Sequence, residues 1–120
     1  MNSPSLRIAA FDAAVAAARA HLARGEPAAA LVQLERAHVL GQRDFSRHWQ
    51  VHGLMLRAAW DLADSREVRG QLLRLALVPL GHLAGRLPQG NTGRSNVSAF
   101  EPMEIEPEVR RLLDQDAGPR

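Results

Sequence analysis

The 120-residue chain predicts an all-α protein: an antiparallel four-helix bundle made of two helix pairs, followed by an extended C-terminal strap. Three observations carry this. Apolar residues recur at spacings of three and four through residues 5–86, and no stretch alternates as a strand would. The interruptions between these periodic runs are short, so consecutive helices are antiparallel neighbours. From about residue 87 the period is lost and turn-forming residues take over, although apolar residues persist. The chain therefore reads as one domain over 1–120: a helical bundle over 5–86, an ordered strap over 87–106, and a short helix and tail over 107–120.

The first helix is expected from Ser5 to Arg24, with Ile8, Phe11, Val15, Ala18 and Leu22 on its apolar stripe. Gly25 ends it, and Glu26-Pro27 opens the second, since proline is tolerated in a first turn. The second helix runs to Leu40 with Leu31, Leu34 and His38 on one stripe, and Gly41 is its expected C-terminal stop. Asp44 is the expected cap of the third helix, which runs to Ala63 with Phe45, His48, His52, Met55, Leu56, Ala59 and Leu62 inward. Asp64 or Ser65 caps the fourth, which runs to Gly85 and should kink at Pro79. "LARGEPAAALVQL" and "LADSREVRGQLLRL" each end one helix and begin another, in the manner of a tetratricopeptide-like pair. Two such pairs are fewer than a solenoid needs, so a closed bundle is expected instead.

In the strap, Gly90, Asn91, Gly93 and Asn96 are turn formers, while Val97, Phe100, Met103 and Ile105 are apolar and regularly spaced. The segment is too hydrophobic for a disordered linker, and "GNTGRSN" reads as a tight turn docking it. Pro107 opens the last short helix, "PEVRRLLDQ".

The absence of cysteine removes disulfides, thiolate metal sites and thiol nucleophiles, so any metal site must use nitrogen and oxygen. All 15 basic residues are arginine. Residues 1–100 hold 12 Arg against 7 acids (+5), and residues 101–120 hold 3 Arg against 6 acids (−3), which suits an acidic tail folded onto a basic body. The arginines are scattered, tyrosine is absent and aromatics make up 4%, unlike a nucleic-acid surface with its basic stripe and stacking rings. No apolar run is long enough for a bilayer, and the N-terminus lacks a cationic start followed by an apolar run. The expectation is a cytoplasmic bacterial protein without nucleic-acid or membrane partners.

Three of the five histidines fall in "LERAHVLGQRDFSRHWQVH". Glu35 and His38 are i, i+3 on the second helix, and His48 and His52 are i, i+4 on the third. The two histidines of the third helix interrupt an apolar stripe. A buried polar group without a partner costs roughly 1–3 kcal/mol, so each needs an acceptor, a water or a metal. Folding the chain about residue 43 sets His38 level with His48 and Glu35 level with His52. The same counting sets Asp12 level with His38 and His82 level with His48, as secondary candidates, and leaves His21 at the other end as a surface residue. His48 lies in a first turn, where the helix dipole disfavours a protonated imidazole and so favours the neutral form a metal needs. Three imidazoles and a carboxylate suit Zn, Fe, Mn, Ni or Cu.

The motifs "LERAHVLGQ", "HxxxHGLML", "EVRGQLLR" and "GNTGRSNVSAFEPM" resemble a small bacterial family of unknown function, a likeness running over roughly residues 15–109. Glu35, His38, Gly41, Gln42, His48, His52, Gln71, Gly90, Asn91, Gly93, Asn96 and Met103 match its pattern. The pattern has a second glycine where Arg94 stands and an arginine where Glu101 stands, and it includes neither His21 nor His82. The resemblance implies the site without implying a reaction.

The sequence thus supports a metal-binding helical protein with Glu35, His38, His48 and His52 as ligands, with redox or hydrolytic chemistry open to it if a coordination position is free. No serine-centred nucleophile motif and no HExxH is present, so no catalytic residue is assigned. The rival is a tetratricopeptide-like module that binds a protein partner without metal. Trp49 and Trp60 would then be anchors, although core packing is the expected role of both. A homodimer fits either reading.

Overall fold

The structure, a computed structural model, describes residues 5–85, 91–95 and 102–116. It contains five helices in chain order, α1 Leu6–Ala23, α2 Pro27–Gly41, α3 Phe45–Asp61, α4 Ser65–Ala84 and α5 Pro107–Asp116, and no strand among the described residues. Each of the first three packs on the next, and α5 returns across α1 and α2. An α4–α1 contact, which would close a four-helix ring, is not among the principal helix pairs.

The helix starts follow local chemistry. The Ser5 hydroxyl accepts from the Ile8 amide at 3.1 Å, and Asp64 Oδ1 accepts from the Glu67 amide at 3.1 Å, each satisfying an otherwise orphaned first-turn donor. Asp44 does precede α3 in extended conformation, but its side chain does not cap. Its carboxylate is taken by Arg7 at 3.1 Å and Arg47 at 3.2 Å, because two guanidiniums outbid one amide for a half-buried carboxylate. Arg7 also donates to the Leu40 carbonyl at 2.7 Å, tying α1 to the end of α2. Gly41 belongs to α2 rather than stopping it, and its smallness serves packing: a Cβ there would lie 2.5 Å from the Phe11 ring. The helix assignment of α4 continues through Pro79.

The apolar core joins Phe11, Val15 and Leu22 of α1 to Leu31, Leu34 and Leu40 of α2, Val51 and Met55 of α3, and Val109 and Leu113 of α5. The inward stripes expected of α1 and α2 are buried apart from Ile8, which is half-buried. On α3, by contrast, Phe45 is exposed, as is Leu62 just beyond its end, and Trp49 and Trp60 are exposed rather than packed in the core. The reason lies in α4, which contributes Val78 alone to the buried apolar set and meets α3 mainly through polar groups. The acidic tail reaches the basic body through Arg36, which stands 3.0 Å from Glu108. In the strap, 91–95 and 102–106 form no helix or strand; Gly90, Asn96, Val97, Phe100 and Glu101 lie outside the described residues. No helix among the described residues is long and apolar enough to cross a membrane.

Candidate metal centre

The last turn of α2 and the first two turns of α3 bring three imidazoles together. His38, His48 and His52 are 2%, 5% and 2% exposed. His38 Nε2 stands 3.0 Å from His48 Nε2 and 3.2 Å from His52 Nε2, and one nitrogen from each of the three rings lies within 4.8 Å of the others. The rings are edge-on or tilted, with centroids 4.7, 4.8 and 5.0 Å apart, so they converge rather than stack.

The other ring nitrogens decide what faces inward. His38 Nδ1 is 2.6 Å from the Asn91 main-chain carbonyl, which can only accept, so His38 donates through Nδ1. His52 Nδ1 is 2.7 Å from Gln71 Oε1. The orientation of that amide follows from its own nitrogen, which donates to the Gly93 carbonyl at 2.8 Å and to Glu67 Oε2 at 3.4 Å. His52 therefore also donates through Nδ1. The Nε2 atoms of His38 and His52, in their neutral rings, carry lone pairs that point at one another with no proton between them. His48 Nδ1 is 2.9 Å from His82 Nε2, so its outer nitrogen is engaged as well.

Electrostatics favour the neutral rings. Burial holds His38 well below the ordinary imidazole range, and the neighbouring His52 and His48 push it the same way. Burial, with His52 and His82, lowers His48 to about 3. Burial lowers His52 to about 4, against the opposing pull of its bond to Gln71. At neutral pH the cluster is three uncharged imidazoles, those of His38 and His52 with their Nε2 lone pairs directed inward, the protonation state that ligation requires.

The strap completes one side. Gly93 has φ +82°, and a Cβ there would fall 2.5 Å from His38 Cδ2 and 2.9 Å from His38 Nε2, so both the backbone angle and the space demand glycine. The Gly93 amide donates to Asn91 Oδ1 at 2.9 Å, which shapes the turn that offers the Asn91 carbonyl to His38. Arg94 then pins the strap. Its Nε donates to Glu67, its second nitrogen donates to Glu35 Oε1 at 3.2 Å, and the Ser95 amide donates to Glu67 Oε2 at 2.8 Å. Burial alone would raise the Glu67 carboxyl, but Arg94 and Ser95 hold it below its ordinary value.

The pattern matched over most of this chain is that of a protein family of unknown function, DUF3703, which covers residues 6–113. The chain belongs to that family. No curated protein and no solved structure is significantly similar to it.

Of the residues singled out in the sequence, His38, His48 and His52 converge. Glu35 does not stand with them: it is half-buried, its carboxylate paired with Arg94. Asp12 is exposed on α1. His82 sits behind His48, against its outer nitrogen and edge-on to Phe45 at 5.4 Å, rather than within the triangle of Nε2 atoms. His21 is at the other end of the molecule's first hairpin, bonded to Glu26 at 2.9 Å. The residues that sequence reasoning gave no part in the site are Glu67, Gln71, Asn91 and Arg94, although Asn91 was expected as a turn former of the strap. A signal for two of them was present: Glu67 and Gln71 are i, i+4, and with Arg74 they make the polar side of a helix whose opposite side is leucine.

Proposed function

We propose that this protein binds a divalent transition metal through the Nε2 atoms of His38, His48 and His52. The observation that carries the reading is the direction of the lone pairs: two of the three rings are committed by acceptor groups to donate outward, leaving Nε2 facing Nε2 at 3.2 Å. Lone pairs so directed repel unless a cation or a hydrogen-bond donor lies between them, and a metal ion is the group that all three rings can share. A tetrahedral site with metal–nitrogen bonds of about 2.0–2.1 Å separates its ligand atoms by roughly 3.3–3.4 Å, within a few tenths of the two distances from His38, 3.0 and 3.2 Å, while the whole set lies within 4.8 Å. The groups that accept the outer protons are the ones such a site uses to orient its ligands and raise their basicity.

Three imidazoles without a thiolate suit Zn, Fe, Mn, Ni or Cu. They leave a fourth coordination position, which is where hydrolytic or redox chemistry would occur if a water or substrate occupied it. Glu35 serves this site indirectly in our reading, by holding Arg94 and hence the strap over His38; Asp12 is outside it, and His82 orients His48.

The test is metal analysis of untagged protein, with titration of the metal-free form. One equivalent of metal is expected, and the His48→Ala, His52→Ala double variant should lose at least about 1,000-fold in affinity while keeping its helical circular dichroism. Sub-stoichiometric metal that is the same in wild type and variant would rule the reading out.

A further inference from the structure

The fourth helix is amphipathic in the inverted sense. Its buried positions are Glu67, Gln71, Arg74 and Val78, while Leu72, Leu73, Leu80 and Leu83 are exposed, Leu83 to 86%. Helical spacing gathers these leucines, with Ala76 between them, on the side opposite Gln71. Residues 75–85 contain no Asp, Glu or Arg. Beside this ridge, between α3 and α4, runs an apolar groove of about 370 Å³ lined by Gly53, Leu56, Arg57, Trp60, Val68 and Leu72. Trp60, at its edge, is 74% exposed, and a Cβ placed on Gly53 meets nothing within 4 Å, so the floor of the groove is open.

We propose that this face joins two copies of the chain, with α4 packed antiparallel on α4 across a twofold axis near Ala76, and with Leu80 and Leu83 of each copy entering the other's α3/α4 groove. Three features select a second copy as the occupant. The ridge and the groove lie side by side on the same helix, so the surface is its own complement, as an isologous interface requires. The residue at the midpoint is alanine, which lets the helices approach closely. The exposed side chains of Trp49, Trp60, Leu72, Leu73, Leu80 and Leu83 offer on the order of 700 Å². That exceeds the largest apolar patch of an ordinary monomer and approaches the roughly 800 Å² per partner of a standard stable interface.

This inference does not depend on the metal. It is tested by sedimentation velocity on the untagged full chain between about 1 and 100 µM, where a dimer is expected. The Leu80→Glu, Leu83→Glu double variant changes two exposed side chains, so it should keep its circular dichroism and metal stoichiometry while the dissociation constant rises at least about 100-fold. Because the chain has no cysteine, Ala76→Cys should form an intermolecular disulfide with its counterpart, and Leu83→Cys should not. A monomer at every concentration overturns the proposal and leaves the face to a different protein. A dimer untouched by the double glutamate variant, or one in which Leu83→Cys links to itself, overturns it equally.

Discussion

The two ends of α2 belong to different kinds of protein interior. Its first three turns pack Leu31, Leu34 and Ala30 against α1, and Ala37 and Leu40 also lie in the apolar core that α5 closes. Its last turn delivers His38 into a seam whose other buried members are His48, His52, Gln71, Glu67 and Asn91. The apolar region derives its stability from area removed from water, and any set of side chains of the right volume would serve it. The polar seam is different. Each group in it has been desolvated, and all but the inward-facing imidazole nitrogens are matched to a specific partner, an arrangement that well-packed apolar residues would match or exceed in stability. The contrast teaches that α4 and the strap meet the rest of the molecule through specific hydrogen bonds and ion pairs more than through apolar burial.

The sharpest way to break this comparison is acid. All three imidazoles sit below their ordinary value of 6.5 in the folded state, His48 at about 3 and His52 at about 4. In the window between those values and 6.5 the unfolded chain binds more protons than the folded one, so stability is full above about pH 6.5 and falls as the pH falls. Three such groups give a slope of at most about 4 kcal/mol per pH unit, enough to unfold the metal-free protein between about pH 6 and 4. Denaturant melts followed by circular dichroism at pH 7, 6, 5 and 4 check this. A flat profile to pH 4 would mean the seam does not hold neutral rings.

A smaller effect should isolate the other region. Leu34 is fully buried in the apolar core, and Leu34→Ala should cost about 2–5 kcal/mol in denaturant melts. Its metal stoichiometry should stay that of wild type, because no ligand-orienting bond passes through it. Coupled loss of both would show that the two regions are one.

Within the seam, the smallest changes sharpen the assignment of roles. Gln71→Leu removes the acceptor that orients His52 and should weaken metal binding about 10–100-fold with the ligands all present. Glu35→Gln should weaken it by less than about threefold, since Glu35 acts only through Arg94. Competition titration against a chelator of known affinity measures both, and a loss at Glu35 as large as at Gln71 would make that carboxylate a ligand after all.

Much of this protein was legible along the chain. Helix positions followed from apolar spacing and from Ser5, Pro27 and Asp64, whose effects are local. The convergence of His38, His48 and His52 was legible too, because a short hairpin leaves little freedom in which residues face each other. The same register argument set Glu35 level with His52, and it is silent about where the carboxylate turns. Arg94, more than fifty positions away, competes for that carboxylate, and an ion pair formed across such a separation leaves no trace in helical spacing.

By itself, then, the sequence determined the helices, their order and the three imidazoles that meet at one turn, since each of these depends on residues a few positions apart. Only the tertiary structure decided which ring nitrogen faces inward, that Glu35 and Glu67 anchor the strap through Arg94, and that α4 turns its leucines outward. Those outcomes rest on hydrogen bonds and charges brought together from distant segments. Their energy depends on distance and orientation in space, which periodicity along a chain does not encode.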